Sequence, residues 1–201
     1  MAGWALALLA LLLAACAGPL ADPAREPAAV RATDFRPTEI REPAVFVRVA
    51  LAPGAFSERE RANLAAAYEG ALLEGFNARA VPPRDAQRVT AGKLDGQVAV
   101  ARARQVGADH AILVDVQVAR GEPVFCREAR RPFRAPAVTW AQRLEVLRAS
   151  DGASRVVLQG PAVDVADVEP DCDAPQDSRR RTSSETVLES VSRLLTRLLG
   201  S

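Results

Sequence analysis

In the first half of the domain, the apolar positions alternate in one stretch and then follow a helical period. The alternating positions predict a strand with one buried side: Val45, Val47, Val49 and Leu51. Ser57 and Glu60 then form a capping-box pair, in which each side chain accepts from a backbone amide at a helix start. The spacing predicts that this helix runs to about Glu74 and ends at Gly75, before a short strand over residues 78–81.

The second half begins with another capped helix. Asp95 precedes a helical pattern over residues 97–106, and the nearly unbroken apolar run over residues 111–119 predicts a buried central strand. Two longer strands follow, and Asp151 and Gly152 between them are typical of a hairpin turn.

The last segment has the strongest helical pattern in the chain. Thr182 and Glu185 form a second capping box, and Gly200 ends the helix. The apolar stripe consists of Val187, Leu188, Val191, Leu194, Leu195 and Leu198. We expect this stripe to cover a sheet face as core, and the alternative is a surface that binds a partner.

The element order is therefore β-α-β-α-β-β-β-α. It predicts an α/β (α+β) domain over residues 44–201, with a single mixed β-sheet of about five strands and two to three helices mainly on one face.

The chain opens with an apolar run over residues 5–15, which is too short to span a bilayer and fits a signal peptide over residues 1–15. It ends in Leu13, Ala14, Ala15 and Cys16. This tetrad resembles the lipobox of bacterial lipoproteins, and the resemblance implies cleavage before Cys16 and lipidation of its thiol. The alternative is an ordinary secretory peptide cut near Ala15 or Ala17.

The resemblance also implies a location. Lipoproteins that are kept in the inner membrane carry Asp after the lipidated cysteine, whereas this chain has Ala17. We therefore expect a lipid anchor in the outer membrane, facing the periplasm. Residues 16–43 are rich in proline and alanine and predict an extended tether. The alternative is that the later part of this segment, near Phe35 and Ile40, packs on the domain.

Residues 101–119 combine a helix, a Gly-Ala-Asp turn and an apolar strand. This arrangement is similar to small α/β domains of the bacterial envelope. These are the domains of the curli-secretion lipoprotein, of the lipoprotein activators of penicillin-binding proteins, and of the amino-terminal part of the Tol translocation protein. The resemblance implies a protein that acts through protein contacts and not through catalysis.

Two cysteines remain if Cys16 is lipidated. Export to an oxidising compartment predicts a disulfide between Cys126 and Cys172, and the alternative is two free thiols. Charged residues flank the hairpin that turns at Asp151 and Gly152, and they predict ion pairs across its base. The basic set is Arg127, Arg130, Arg131 and Arg134, and the acidic set is Asp164, Asp167, Glu169, Asp171, Asp173 and Asp177. A calcium loop in the acidic set is the less favoured alternative, because the ligand order of such loops is missing.

The sequence offers few other candidates for a catalytic or metal-binding site. His110 is the single histidine, so a zinc site is not expected, and neither a phosphate-binding loop nor a nucleophile motif occurs. Net charge is +1, and aromatic residues make up 4% of the chain, which argues against nucleic-acid binding. Arg179, Arg180 and Arg181 are interpreted as a solvated loop, with anionic lipid or cell wall as the alternative contact.

The main hypothesis is thus a non-enzymatic, lipid-anchored envelope protein, a binding or assembly module with an envelope protein as partner and no cofactor. The second is an accessory lipoprotein that binds a small ligand or lipid for a transporter, and an apolar cleft between sheet and helices would favour it. The third is a hydrolase, which would need titratable groups in a pocket around His110.

Overall fold

The computed structural model describes residues 28–121, 124–125, 133–161, 163–171, 173–174 and 177–200. The strands are β1 (Ala28–Arg31), β2 (Ala44–Leu51), β3 (Asp85–Arg88), β4 (His110–Gly121), β5 (Val124–Phe125), β6 (Phe133–Arg134), β7 (Ala137–Arg148), β8 (Ser154–Gln159), β9 (Val165–Ala166), β10 (Val168–Glu169) and β11 (Arg179–Arg180). The helices are α1 (Glu58–Ala78), α2 (Gly96–Gln105) and α3 (Ser183–Leu199), and a short 3-10 turn covers Pro37–Glu39.

Seven strands form one mixed sheet in the order β1-β8-β7-β4-β2-β3, with β9 paired to one end of β7. Strand β2 runs parallel to β3 and β4, and the remaining pairs in this sheet are antiparallel. The predicted fold class is confirmed, and the sheet has about two strands more than expected. Strands β5 with β6, and β10 with β11, form two separate two-stranded ladders.

The helices cover the two sheet faces unequally. Helices α1 and α3 lie together on one face, where Trp140, Tyr68 and the leucines of α3 form the main core. Helix α2 lies on the other face and covers a smaller cluster around Phe46 and Leu113. Two of the three helices therefore share one face, as the sequence predicts.

Local signals fix the ends of the elements. Ser57, Asp95 and Thr182 each accept from backbone amides at their helix starts, as predicted. The hairpin turn lies between β7 and β8, where Gly152 has a φ of +77°. This φ is in the left-handed region that favours glycine.

Three predictions on the helices and strands are wrong. Helix α1 continues through Gly75 to Ala78, and residues 78–81 form no strand. The edge strand is instead β3, whose polar sequence pairs in parallel with β2. Leu188 is 54% exposed and lies outside the apolar stripe of α3, whose other five members are buried in the core as expected.

The expected tether is also shorter than predicted, because residues 28–43 belong to the folded domain. Strand β1 pairs with β8, and Phe35 and Ile40 are buried in the main core, as the alternative interpretation had it. Arg155, which is 5% exposed, holds this segment through Asp34 at 2.9 Å and Glu39 at 3.2 Å. The described part of the domain therefore begins at Ala28 and not at residue 44.

Candidate functional site

A row of charged side chains crosses the sheet face that α2 covers only in part. Arg48 of β2 lies directly beside Asp115 of β4, and Asp115 lies directly beside Arg143 of β7. Cross-strand neighbours project from the same face of a sheet, so the three side chains form one charged row. On the same sheet face, the row is the next set of side chains after Phe46 and Leu113, which α2 covers.

The centre of the charged row is a partly buried ion pair. The Arg48 guanidinium donates to Asp115 at 2.6 Å, and their side chains are 22% and 25% exposed. Within the described residues, Arg48 Nε and Asp115 Oδ1 are buried without a hydrogen-bond partner. An unsatisfied buried polar atom costs about 1–3 kcal/mol, which offsets part of what the ion pair contributes to stability.

A loop closes the charged row on one side and makes a recess of about 320 Å³. Arg48 donates to the backbone carbonyl of Gly92 at 3.3 Å, and Leu94 packs against the cluster under α2. Lys93, between these two residues, is exposed and lines the recess. The complete lining is Arg48, Lys93, Leu94, Leu113, Asp115, Gln117, Arg143 and Glu145.

Sequence reasoning missed this site, although a signal was present. Residues 111–119 are apolar except for Asp115 and Gln117, and Arg48 interrupts an otherwise apolar β2. A charge in the middle of a central strand contradicts the local pattern and often marks a functional position. Which strands adjoin one another was not predictable, so the alignment of the three charges was not either.

A second cavity, the interhelix cleft, opens between the first turns of α1 and α3 over β7. It has a volume of about 360 Å³, and Phe56, Leu64, Val138 and Trp140 supply its apolar lining. At its rim the Arg120 guanidinium lies 4.8 Å from the centre of the Phe56 ring. Trp140 is 1% exposed, so its ring is almost entirely enclosed by the core.

His110 lines neither the recess nor the interhelix cleft. It is 4% exposed, and its Nδ1 lies 3.1 Å from Asp109 Oδ1. Asp109 also accepts from the backbone amides of Arg41 and Glu42. Burial raises the pKa of Asp109, but the hydrogen bonds from His110 and these amides outweigh it, and the pKa lies below its ordinary value. The pair thus fastens the segment before β2 to the start of β4.

Within the described residues, two members of the acidic set at the hairpin base pair with arginines of residues 179–181. Asp167 pairs with Arg180 at 3.2 Å, and Glu169 pairs with Arg181 at 3.9 Å. Arg179 pairs with Glu185 at 2.7 Å, so each member of the basic triplet has an acidic partner. Arg127, Arg130 and Arg131 lie outside the described residues, as does the side chain of Arg134.

The three cysteines, Cys16, Cys126 and Cys172, also lie outside the described residues. The lipidation and the disulfide therefore stay predictions. Over the described ranges, no cluster of three or more metal-binding side chains occurs, and no helix has the length and apolar character of a membrane span.

No protein family profile and no curated protein matches the chain. Solved structures give weak likenesses. A PelC dodecamer from Paraburkholderia phytofirmans is 13% identical, with a TM-score of 0.40, over 87% of this chain and 97% of that chain. A homolog of the neuraminyllactose-binding hemagglutinin from Helicobacter pylori is 7% identical, with a TM-score of 0.45, over 85% of this chain and 86% of that chain.

The hypothetical protein CT253 from Chlamydia trachomatis is 9% identical, with a TM-score of 0.34, over 78% of this chain and 96% of that chain. At TM-scores between 0.34 and 0.45, these likenesses support no conclusion about the family, the assembly or the function of this chain.

Proposed function

We propose that this chain is a lipid-anchored protein of the bacterial cell envelope that works by binding a partner and not by catalysis. The observation that carries the proposal is the charged row of Arg48, Asp115 and Arg143. It lies on the part of the sheet that α2 leaves open, and two of its buried polar atoms have no partner in the described structure. A preformed polar site held at a cost to stability is typical of a binding surface.

The anchor in this proposal is Cys16, through the tetrad from Leu13. Ala28, where the described sheet begins, lies twelve positions after Cys16. At about 3.3 Å per residue, this connection spans at most roughly 40 Å. The domain would thus stay close to the membrane, which we expect to be the outer membrane on its periplasmic side.

Labelling with radioactive palmitate tests the anchor. We expect label in the wild-type chain and none in Cys16→Ser, because that thiol is the attachment point of the lipid. A Cys172→Ser variant is the matched control and should label like the wild type. Equal labelling of Cys16→Ser would refute the anchor.

Cross-linking in intact cells, followed by capture from solubilised envelopes, tests the binding surface. An envelope protein captured with the wild type should be lost with Arg143→Glu, because the reversed charge would oppose the partner. Arg59→Glu changes an exposed arginine of α1, away from the charged row, and should leave capture intact. A partner that is captured equally by all three chains would show that the charged row is not the binding surface.

The interhelix cleft favours a second candidate, an accessory lipoprotein that binds a small apolar ligand or lipid. In this case a dibromo fatty acid should quench the fluorescence of Trp140, which lies at the base of the cleft. Leu64→Glu should weaken the quenching about tenfold or more, because it puts a carboxylate on the apolar wall. Leu188→Glu is the matched control on the exposed side of α3, and equal quenching in both variants would exclude the cleft.

A further inference from the structure

We infer that the recess beside the charged row is a binding site for a single carboxylate group attached to a small apolar body. This inference rests on the proposed function and adds the chemistry of the ligand. The recess holds three cationic side chains, of Arg48, Lys93 and Arg143, and two carboxylates, of Asp115 and Glu145. One positive charge is therefore left without a counter-charge.

The two cations available to a ligand are Lys93 and Arg143. Arg48 is less available, because its two terminal nitrogens are taken by Asp115 and by the carbonyl of Gly92 and its Nε is buried. Arg143 is 56% exposed, and its nearest acidic partner, Glu145, lies 3.7 Å away, at the long end for an ion pair. Lys93 is exposed and has no ion pair within the described residues.

The backbone on both sides of Lys93 is held in place, although the lysine side chain itself is exposed. Gly92, with a φ of +76°, turns the loop towards the sheet and accepts from Arg48. Leu94, on the other side of Lys93, packs under α2. Because the backbone on both sides is already held, binding would order only the Lys93 side chain and not the loop, which favours affinity.

The neighbouring side chains narrow the class of ligand. Leu94 and Leu113 form an apolar wall of the recess, so a ligand with an apolar body fits beside the charges. Asp115 and Glu145 repel a group with two negative charges more strongly than a group with one, which favours a carboxylate over a phosphate. The volume of about 320 Å³ is at the small end for a ligand pocket and fits one amino-acid-sized group.

Lys93 is the only lysine in the chain, which gives a direct probe of the recess. Reductive methylation with a carbon-13 label keeps the lysine charge and gives Lys93 one NMR signal, which a Lys93→Arg variant distinguishes from the signal of any free amino terminus. Three organic probes are added to the full chain in detergent. N-acetyl-leucine represents the carboxylate at the end of a peptide, butyrate represents a small carboxylic acid, and N-acetyl-leucine amide is the neutral analogue. Inorganic phosphate is the fourth probe.

N-acetyl-leucine or butyrate should shift the Lys93 signal in a saturable way, and the stronger of the two identifies the source of the carboxylate. Arg143→Gln should weaken binding about tenfold or more, because a charge-assisted hydrogen bond is lost. Glu145→Gln should strengthen it, since a like charge is removed, and a merely structural role would not produce this gain. Arg59→Gln should change nothing.

Two results would overturn the inference. One is an equal shift with the neutral amide or with phosphate, and the other is binding that Arg143→Gln leaves unchanged. If capture of an envelope partner still depends on Arg143, the proposed function stands and only the ligand chemistry is refuted. If neither result depends on Arg143, the charged row is not the binding surface and the inference is refuted with it.

Discussion

Replacing Gln142 by alanine is expected to lower the free energy of unfolding by about 3 kcal/mol. Gln142 is 2% exposed and lies between the sheet and helices α1 and α3. Its oxygen accepts from the Tyr68 hydroxyl at 2.5 Å, and its amide donates to Asp164 and to the Ser190 carbonyl, each at 3.0 Å. The substitution removes all three bonds and leaves the buried Tyr68 hydroxyl without this partner.

Urea unfolding monitored by circular dichroism measures this effect. Gln117→Ala is the matched control, because it truncates an exposed glutamine of β4 and should change stability by less than about 0.5 kcal/mol. Tyr68→Phe alone should cost about 1–2 kcal/mol, since it leaves the Gln142 oxygen unsatisfied. The double variant should lose less than the sum of the two, and strict additivity would contradict a direct Tyr68–Gln142 bond.

Replacing Gly75 by valine is expected to cost about 2–3 kcal/mol. A Cβ atom at Gly75 would lie 2.6 Å from Leu195 Cδ1 and 3.3 Å from Val191 Cγ1 of α3. The absence of a side chain therefore lets α1 and α3 approach each other. Valine would force the helices apart or push both side chains out of their packing.

Gly70 of the same helix is the matched control. A Cβ atom there meets nothing within 4 Å, so Gly70→Ala should raise stability by about 0.5–1 kcal/mol through helix propensity. Thermal unfolding of the two variants gives the comparison. Equal effects of the two substitutions would show that the contact between α1 and α3 does not depend on Gly75.

Gly75 also illustrates how far the sequence could predict the fold. Glycine near the end of a helical pattern is typical of a cap, and only the approach of α3, about 120 residues later, gives it another role. The elements defined by local chemistry were predictable, as the caps Ser57, Asp95 and Thr182 illustrate. The polar edge strand β3 was not, since its place in the sheet comes from pairing with β2 and not from its own pattern.

The candidate site was not predicted for the same physical reason. Arg48 and Arg143 are 95 residues apart in the chain and come to one level only through the register of β4 with two different strands. The sequence shows Arg48 and Asp115 as exceptions to apolar patterns, and the sheet order places Arg143 beside them.

Strand β1 begins the described fold twelve residues after Cys16. If that cysteine is acylated, this spacing limits the distance between the domain and the membrane. A connection that spans at most roughly 40 Å would then keep the recess near the lipid surface. Two molecules held in the same layer meet at a high effective concentration, so even a weak contact becomes largely occupied. A target fixed in that membrane would therefore need only modest intrinsic affinity, whereas a freely diffusing one would not gain from the confinement.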